Sequence, residues 1–183
     1  GDYVGGFVGY FAGGTIDRCY STSNVIGTSD VGGFVGYAAG TSITNCYAKG
    51  NATNTGDSYG CAGFAGGGSS GTTLDDCYST GIPTGGTYNG GFCGYGSATI
   101  TDCFWDTETS GTETSDGGTG KTTALMKTKA TFTDAGWDFT TPIWYINPTI
   151  NDGYPAFIGV VTRIKGNPNI DQLIYQHVER MGR

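Results

Sequence analysis

Val4 to Ser21 reads VGGFVGYFAGGTIDRCYS, and Val31 to Ala48 reads VGGFVGYAAGTSITNCYA. Two further versions follow: CAGFAGGGSSGTTLDDCYS from Cys61 to Ser79, and NGGFCGYGSATITDCFW from Asn89 to Trp105. Phe7, Phe34, Phe64 and Phe92 are equivalent, 27, 30 and 28 residues apart, and Cys19, Cys46, Cys77 and Cys103 are equivalent, 27, 31 and 26 apart. A period of this length marks a solenoid or array. Each copy holds two short strand signals, Gly-Gly-Phe and Ile/Leu-x-x-Cys-aromatic, bounded by Gly, Ser, Thr and Asn. No helical period lies between them. One copy cannot bury its apolar face, whereas stacked copies can. Stacking one copy per turn sets equivalent residues about 4.8 Å apart, the spacing of neighbouring strands. The expected fold is all-β: a β-solenoid of about four rungs of 26–31 residues, with an aromatic C-terminal cap and a short terminal helix.

The rest of the chain agrees with that reading. Glycine supplies 35 of 183 residues without a collagen period, and aromatics are plentiful, which excludes collagen and disorder. The net charge is −7 and no basic patch precedes the last twenty residues, so a nucleic-acid surface is excluded. No apolar run is long enough for membrane insertion as a helix. Repeat register begins almost at Gly1, which reads as a mature product or a fragment without its targeting segment. The repeats occupy 1–105, an acidic loop and aromatic cap 106–159, and a linker with an amphipathic helix 160–183. Trp105, Trp137 and Trp144 all fall at or after the end of the fourth copy, with Tyr145, Tyr154 and Phe157. Lys121 to Gly159 is therefore expected to plug the last open rung with large rings. Thr122 or Thr123 is a candidate N-cap for a short helix through Ala124, Leu125 and Met126. From Asn169, Ile170, Leu173, Ile174, Val178 and Met181 share a helical face, a candidate handle for a partner.

Chemistry-bearing motifs are few. GGTGKT, Gly117 to Thr122, departs from the phosphate loop because the first glycine position is Ser115 and the flank is acidic. Asp106, Glu108 and Ser110 begin a calcium-loop pattern, but Gly117 stands where the closing glutamate belongs; Glu113 and Asp116 are the available substitutes. No cofactor is expected otherwise. Asp75 and Asp76 are a carboxylate pair, yet adjacent residues on one strand point to opposite faces, unlike the two carboxylates of a glycosidase cleft. The cysteine ladder is expected to be buried thiols, because about 4.8 Å between stacked Cβ atoms exceeds the roughly 3.5–4.5 Å of a disulfide. Tyr20, Tyr47, Tyr78 and Phe104 form a second ladder, and Tyr10, Tyr37 and Tyr95 a third. Buried stacking explains such columns, and an exposed stripe would suit glycan rings, so the first of these is the candidate glycan site.

The G-G-F-V-G core followed by I-x-x-C-Y and a Gly/Thr/Asn loop resembles the GLUG motif, over Val4 to about Trp105, with the tail FWDTETSG, GKTTALMK and GWDF continuing it. Ala62 and Gly67 depart from the pattern in the third copy. The resemblance implies bacterial or archaeal surface proteins, including adhesin-like chains, and carries no catalytic residues. The expected function is that of a non-enzymatic, extracellular structural or adhesive module of a surface protein or filament, acting by self-association or within a larger assembly. A glycan-binding phage or viral fibre segment on a virion surface is the alternative, followed by a polysaccharide-degrading enzyme.

Overall fold

The computed structural model describes residues 1–56, 59–141 and 143–157. The expected terminal helix lies outside the described residues. Within them the chain is a β-solenoid of four turns, and each turn is made of short strands that pair in parallel with the turns above and below. The first sheet stacks Tyr3–Gly5, Asp30–Gly32, Gly60–Ala62 and Tyr88–Gly90. The second stacks Val8–Ala12, Val35–Ala39, Ala65–Gly68 and Cys93–Gly96. The third stacks Thr15–Asp17, Ser42–Thr44, Thr73–Asp75 and Thr99–Thr101. The fourth stacks Tyr20–Ser21, Tyr47–Ala48, Tyr78–Ser79 and Phe104–Asp106. A fifth sheet, of three strands, stacks Val25–Gly27, Ala52–Asn54 and Pro83–Gly85.

The corners explain the motif. Between the first and second sheets the chain bends at Gly-Gly-Phe, and the rings of Phe7, Phe34, Phe64 and Phe92 stack with centroids 4.9, 4.8 and 4.8 Å apart and planes within 10°. Such pairs add about 0.5–1.5 kcal/mol each beyond area burial. The glycine just before each ring approaches the next turn's backbone: a Cβ on Gly6, Gly33 or Gly63 would lie 2.3, 2.2 or 2.4 Å from a carbonyl oxygen. Between the third and fourth sheets, Arg18, Asn45, Asp76 and Asp102 take positive φ of 46–52°, a conformation that Asn and Asp tolerate better than most residues. This corner turns the following cysteine inward. Cys46, Cys77 and Cys103 are buried, Cys19 is half-buried at the end of the column, and all six cysteines are free thiols. The Cys77 thiol accepts a hydrogen bond from the Cys46 N–H at 3.3 Å and donates to the Asp75 carbonyl at 3.1 Å, so each sulfur helps to satisfy a corner. Ile16, Ile43, Leu74 and Ile100 complete the interior.

The last turn is closed differently from expectation. Large rings from Lys121 onward do not plug it. The acidic segment instead runs across the fourth turn as a partial fifth: the Gly91 N–H donates to Thr114, the Asp116 N–H to Cys93 and the Thr119 N–H to Cys103. Thr119–Lys121 then adds a fifth strand to the fourth sheet. Gly117 packs on Ile100 and Gly118 on Phe92. The solenoid's hydrogen bonding therefore outlasts its sequence repeat.

The aromatic C-terminal segment lies on the flank. Thr122 caps a helix, Thr123–Met126, by accepting from the Leu125 N–H, and a second short helix spans Lys129–Thr133. The segment to Phe157 covers the outward-facing Tyr47, Tyr78 and Phe104 with Met126, Phe132, Trp137, Trp144 and Tyr154. Its polar groups are paired to the solenoid: the Trp137 indole donates to the Asp102 carbonyl at 2.8 Å, the Trp144 indole to Asn45 Oδ1 at 3.2 Å, and the Tyr78 hydroxyl to the Pro155 carbonyl at 2.7 Å. The physical reason for this placement is that the outward ring column of the fourth sheet is apolar and needs cover along its length.

Candidate functional site

The residues singled out from sequence are dispersed. Of the tyrosine ladder, Tyr47, Tyr78 and Phe104 lie beneath the C-terminal segment and only Tyr20, 54% exposed, presents an open ring. Asp106 is fully buried as the N-cap of a helical turn at Thr107–Ser110: Oδ1 accepts from the N–H groups of Glu108 and Thr109 and from the Thr123 hydroxyl, and Oδ2 from the Tyr154 hydroxyl at 2.7 Å. Ser110 is buried, and Ser110, Glu113 and Asp116 do not converge with Asp106 and Glu108 into a ligand shell. In the GGTGKT stretch Thr119–Lys121 is a strand paired with Phe104–Asp106, and the Lys121 ammonium lies over the Phe104 ring at 5.8 Å.

The carboxylates that do come together, within 4.8 Å among the described residues, are Asp75, Asp76 and Asp102. The expected divergence of Asp75 from Asp76 fails because Asp76 is at the positive-φ corner, not in the strand. Desolvation first, and the neighbouring Asp75 and Asp102 next, push the Asp76 carboxyl up to about 7. In the unfolded chain it ionises near 3.8. The folded state therefore holds an extra proton between these values, and this group's effect is a loss of stability as pH climbs through that window. Asp76→Asn, which keeps a residue tolerant of positive φ, is expected to stabilise the protein by about 1–2 kcal/mol at pH 7.5, after discounting for solvent screening of a half-exposed group. The gain should vanish toward pH 4, as thermal melts of both proteins across that range would reveal; a gain of the same size at both ends would contradict the assignment.

A concavity lies elsewhere, on the flank where the first and second sheets meet. Four residues before each Phe anchor the column runs Tyr3, Asp30, Gly60, Tyr88. Three residues after it, the column runs Tyr10, Tyr37, Gly67, Tyr95. The bend sets the columns side by side, with Tyr3 and Tyr10 rings 5.3 Å apart. The middle turns lack rings at Asp30, Gly60 and Gly67, and a cavity of about 530 Å³ results. Tyr95 leans into the gap: a Cβ on Gly67 would lie 2.8 Å from its ring, and its centroid is 6.5 Å from Tyr37 although a turn intervenes. At the wall is Asp30, only 2% exposed, with Oδ1 accepting from the Gly60 N–H and Oδ2 from the Tyr95 hydroxyl, both at 3.2 Å. Desolvation pushes its carboxyl above the usual range. Asp2 stands at the rim, hydrogen-bonded by Thr28. Sequence reading found Tyr10, Tyr37 and Tyr95 but missed Asp30, Tyr3 and Tyr59. The available signal was the position four before each Phe, where tyrosine gives way to aspartate and glycine in the middle copies.

Comparison with known proteins bears on the repeats. Residues 1–26 and 27–55 each match the GLUG motif. A protein of Evansella cellulosilytica, provisionally named a Gly-rich membrane protein, is 44% identical over 62 residues, which are 34% of this chain and 7% of that protein. The chain thus spans a small part of that relative's length. No solved structure matches. Among the described residues no helix is long and apolar enough to cross a membrane.

Proposed function

We propose that this GLUG-motif solenoid is a non-enzymatic structural and adhesive module of a surface protein, and that it works by stacking onto further turns of its own kind. The observation that carries the reading is the difference between its two ends. On the last turn Thr119–Lys121 extends the fourth sheet, and Gly91, Cys93 and Cys103 are hydrogen-bonded to Thr114, Asp116 and Thr119, while Pro83–Gly85 and Thr99–Thr101 end their sheets. On the first turn, strands of all five sheets have one unpaired edge, and the end member of each ring column is open: Phe7 is 48% exposed, Tyr10 52% and Tyr20 54%. Unpaired strand edges and half-exposed stacking rings are the features that recruit another strand. A surface location agrees with the GLUG motif and with the name of the relative.

The occupant of the open end is a turn of the same pattern, from upstream in a longer polypeptide or from a second copy. Sedimentation velocity of the full chain is expected to show association that grows with concentration. Phe7→Lys should abolish it while leaving the melting transition in place, because that ring is half exposed. Fusing a copy of residues 28–54 ahead of Gly1 should bury the first turn and raise the melting temperature. A chain that stays monomeric at its highest soluble concentration and gains no stability from the added turn would contradict the proposal.

A further inference from the structure

The cavity around Asp30 is not explained by stacking or by the packing of the solenoid. The rings of the phenylalanine column lie within 10° of parallel, as rings do when they serve one another. Around the cavity only Tyr10 and Tyr37 stack, at 4°; the other rings are tilted, Tyr3 and Tyr37 by 55°, Tyr37 and Tyr95 by 48°, Tyr59 and Tyr95 by 39°. Apart from that pair they form walls rather than a stack. Between them sits a carboxylate that is almost wholly covered and has hydrogen bonds but no cation. A second carboxylate, Asp2, stands at the mouth, and no Lys, Arg or His is among the described lining residues.

We propose that this cavity binds an organic cation, an ammonium or quaternary ammonium group, with Asp30 and Asp2 as countercharges and the faces of Tyr10, Tyr37 and Tyr95 as its walls. The electron-rich faces of aromatic rings attract cations, most strongly where water is excluded. A carboxylate held in a poorly hydrated wall gains more from an ionic partner than an exposed one does, because the field between them is less screened. Anions are repelled by both aspartates. A neutral sugar could hydrogen-bond Asp30, but it leaves the charge uncompensated. The volume, about 530 Å³, exceeds one small cation, so the site suits a cationic head attached to a larger body. Gly67 is the residue that creates the site: a ring there would restore the ladder and force Tyr95 off Asp30. The cavity shares Tyr10 with the open first turn, so the titration is run at concentrations where the chain is monomeric, which keeps its outcome separate from that of stacking.

The test is a titration of the full chain, followed by the ring signals of its tyrosines in NMR spectra at constant ionic strength. The probes are tetramethylammonium, Nα-acetyl-lysine amide and maltose. Saturable shifts with either cation are expected, and the tighter of the two identifies the source as a quaternary ammonium or a lysine side chain. Asp30→Asn preserves the shape and the acceptor for Gly60 and should weaken binding at least ten-fold; Asp2→Asn should weaken it less. Should Asp30→Asn fail to fold, Tyr10→Ala removes an exposed ring and should still weaken binding several-fold. Maltose saturating the site with no response to the cations, no saturation by any probe, or unchanged affinity in Tyr10→Ala and Asp2→Asn would each overturn the proposal.

Discussion

Trp144→Ala is expected to cost about 3–5 kcal/mol, the range for emptying a buried indole. Trp144 is fully buried. Its ring lies 4.6 Å from Trp137, 4.7 Å from Phe157, 6.1 Å from Tyr78 and 6.3 Å from Tyr47, so it joins the C-terminal segment to the second and third turns. Its indole N–H also satisfies Asn45, which holds the positive-φ corner beside the cysteine column. Truncation leaves a cavity among rings that cannot rotate to fill it, and it frees that corner side chain. In a chain of this size the loss corresponds to roughly 6–20 °C in melting temperature. It should be accompanied by binding of a hydrophobic dye to the uncovered Tyr47–Tyr78 face. Removal of residues 121–183 should have the same effect in stronger form, with aggregation. A Trp144→Ala protein that melts within two or three degrees of the parent would mean that the flank cover does little for the solenoid.

Gly33→Ala is expected to be nearly as damaging, at about 3 kcal/mol, the upper part of the range for overpacking. A Cβ there would lie 2.2 Å from the Gly63 carbonyl oxygen and 3.0 Å from the Gly50 carbonyl oxygen. Both are backbone and belong to strands or corners fixed by the neighbouring turns. The same position is glycine in all four copies, at Gly6, Gly33, Gly63 and Gly91. The preceding position is not: the third copy has Ala62, fully buried, where the second has Gly32. Gly32→Ala is nonetheless expected to cost about as much, because a Cβ there would lie 2.0 Å from the Val35 carbonyl oxygen and 2.6 Å from the Phe64 carbonyl oxygen. Chemical denaturation of the two variants checks this. A loss below about 1 kcal/mol in either would mean that the turns shift to accept the methyl.

The extent to which this architecture is legible in the sequence follows from periodicity. The four Phe anchors, the cysteine column and the turn length recur in register, so the solenoid and the spacing of its ladders can be read directly. The position of the aromatic cap cannot. Trp137 and Trp144 have no repeat equivalents, and nothing in their spacing tells whether they cover an end or a flank. The partial fifth turn was hidden for a related reason: its contribution is made by backbone groups of Thr114, Asp116 and Thr119, and backbone pairing leaves no pattern in side chains. Asp75 and Asp76 do not diverge as strand neighbours would, because alternation stops at a corner where φ is positive. At the cavity, Asp30 is informative only when the copies are laid over one another, as the position where a column of tyrosines is interrupted.

The C-terminal segment has a further consequence under load. Hydrogen bonds between turns run along the solenoid axis, so tension on that axis pulls each layer directly from the next. A bare stack would give way one layer at a time at low force. Here the returning segment touches every layer: Trp137 is held by Asp102 of the fourth turn, Tyr78 of the third holds Pro155, Trp144 and Asp152 are held by Asn45 and Lys49 of the second, and Phe157 rests against Tyr20 of the first. Separating any two layers must slide this splint along the ring column and break attachments on both sides of the gap together. A tethered protein built this way resists flow as a single body and yields in one abrupt step.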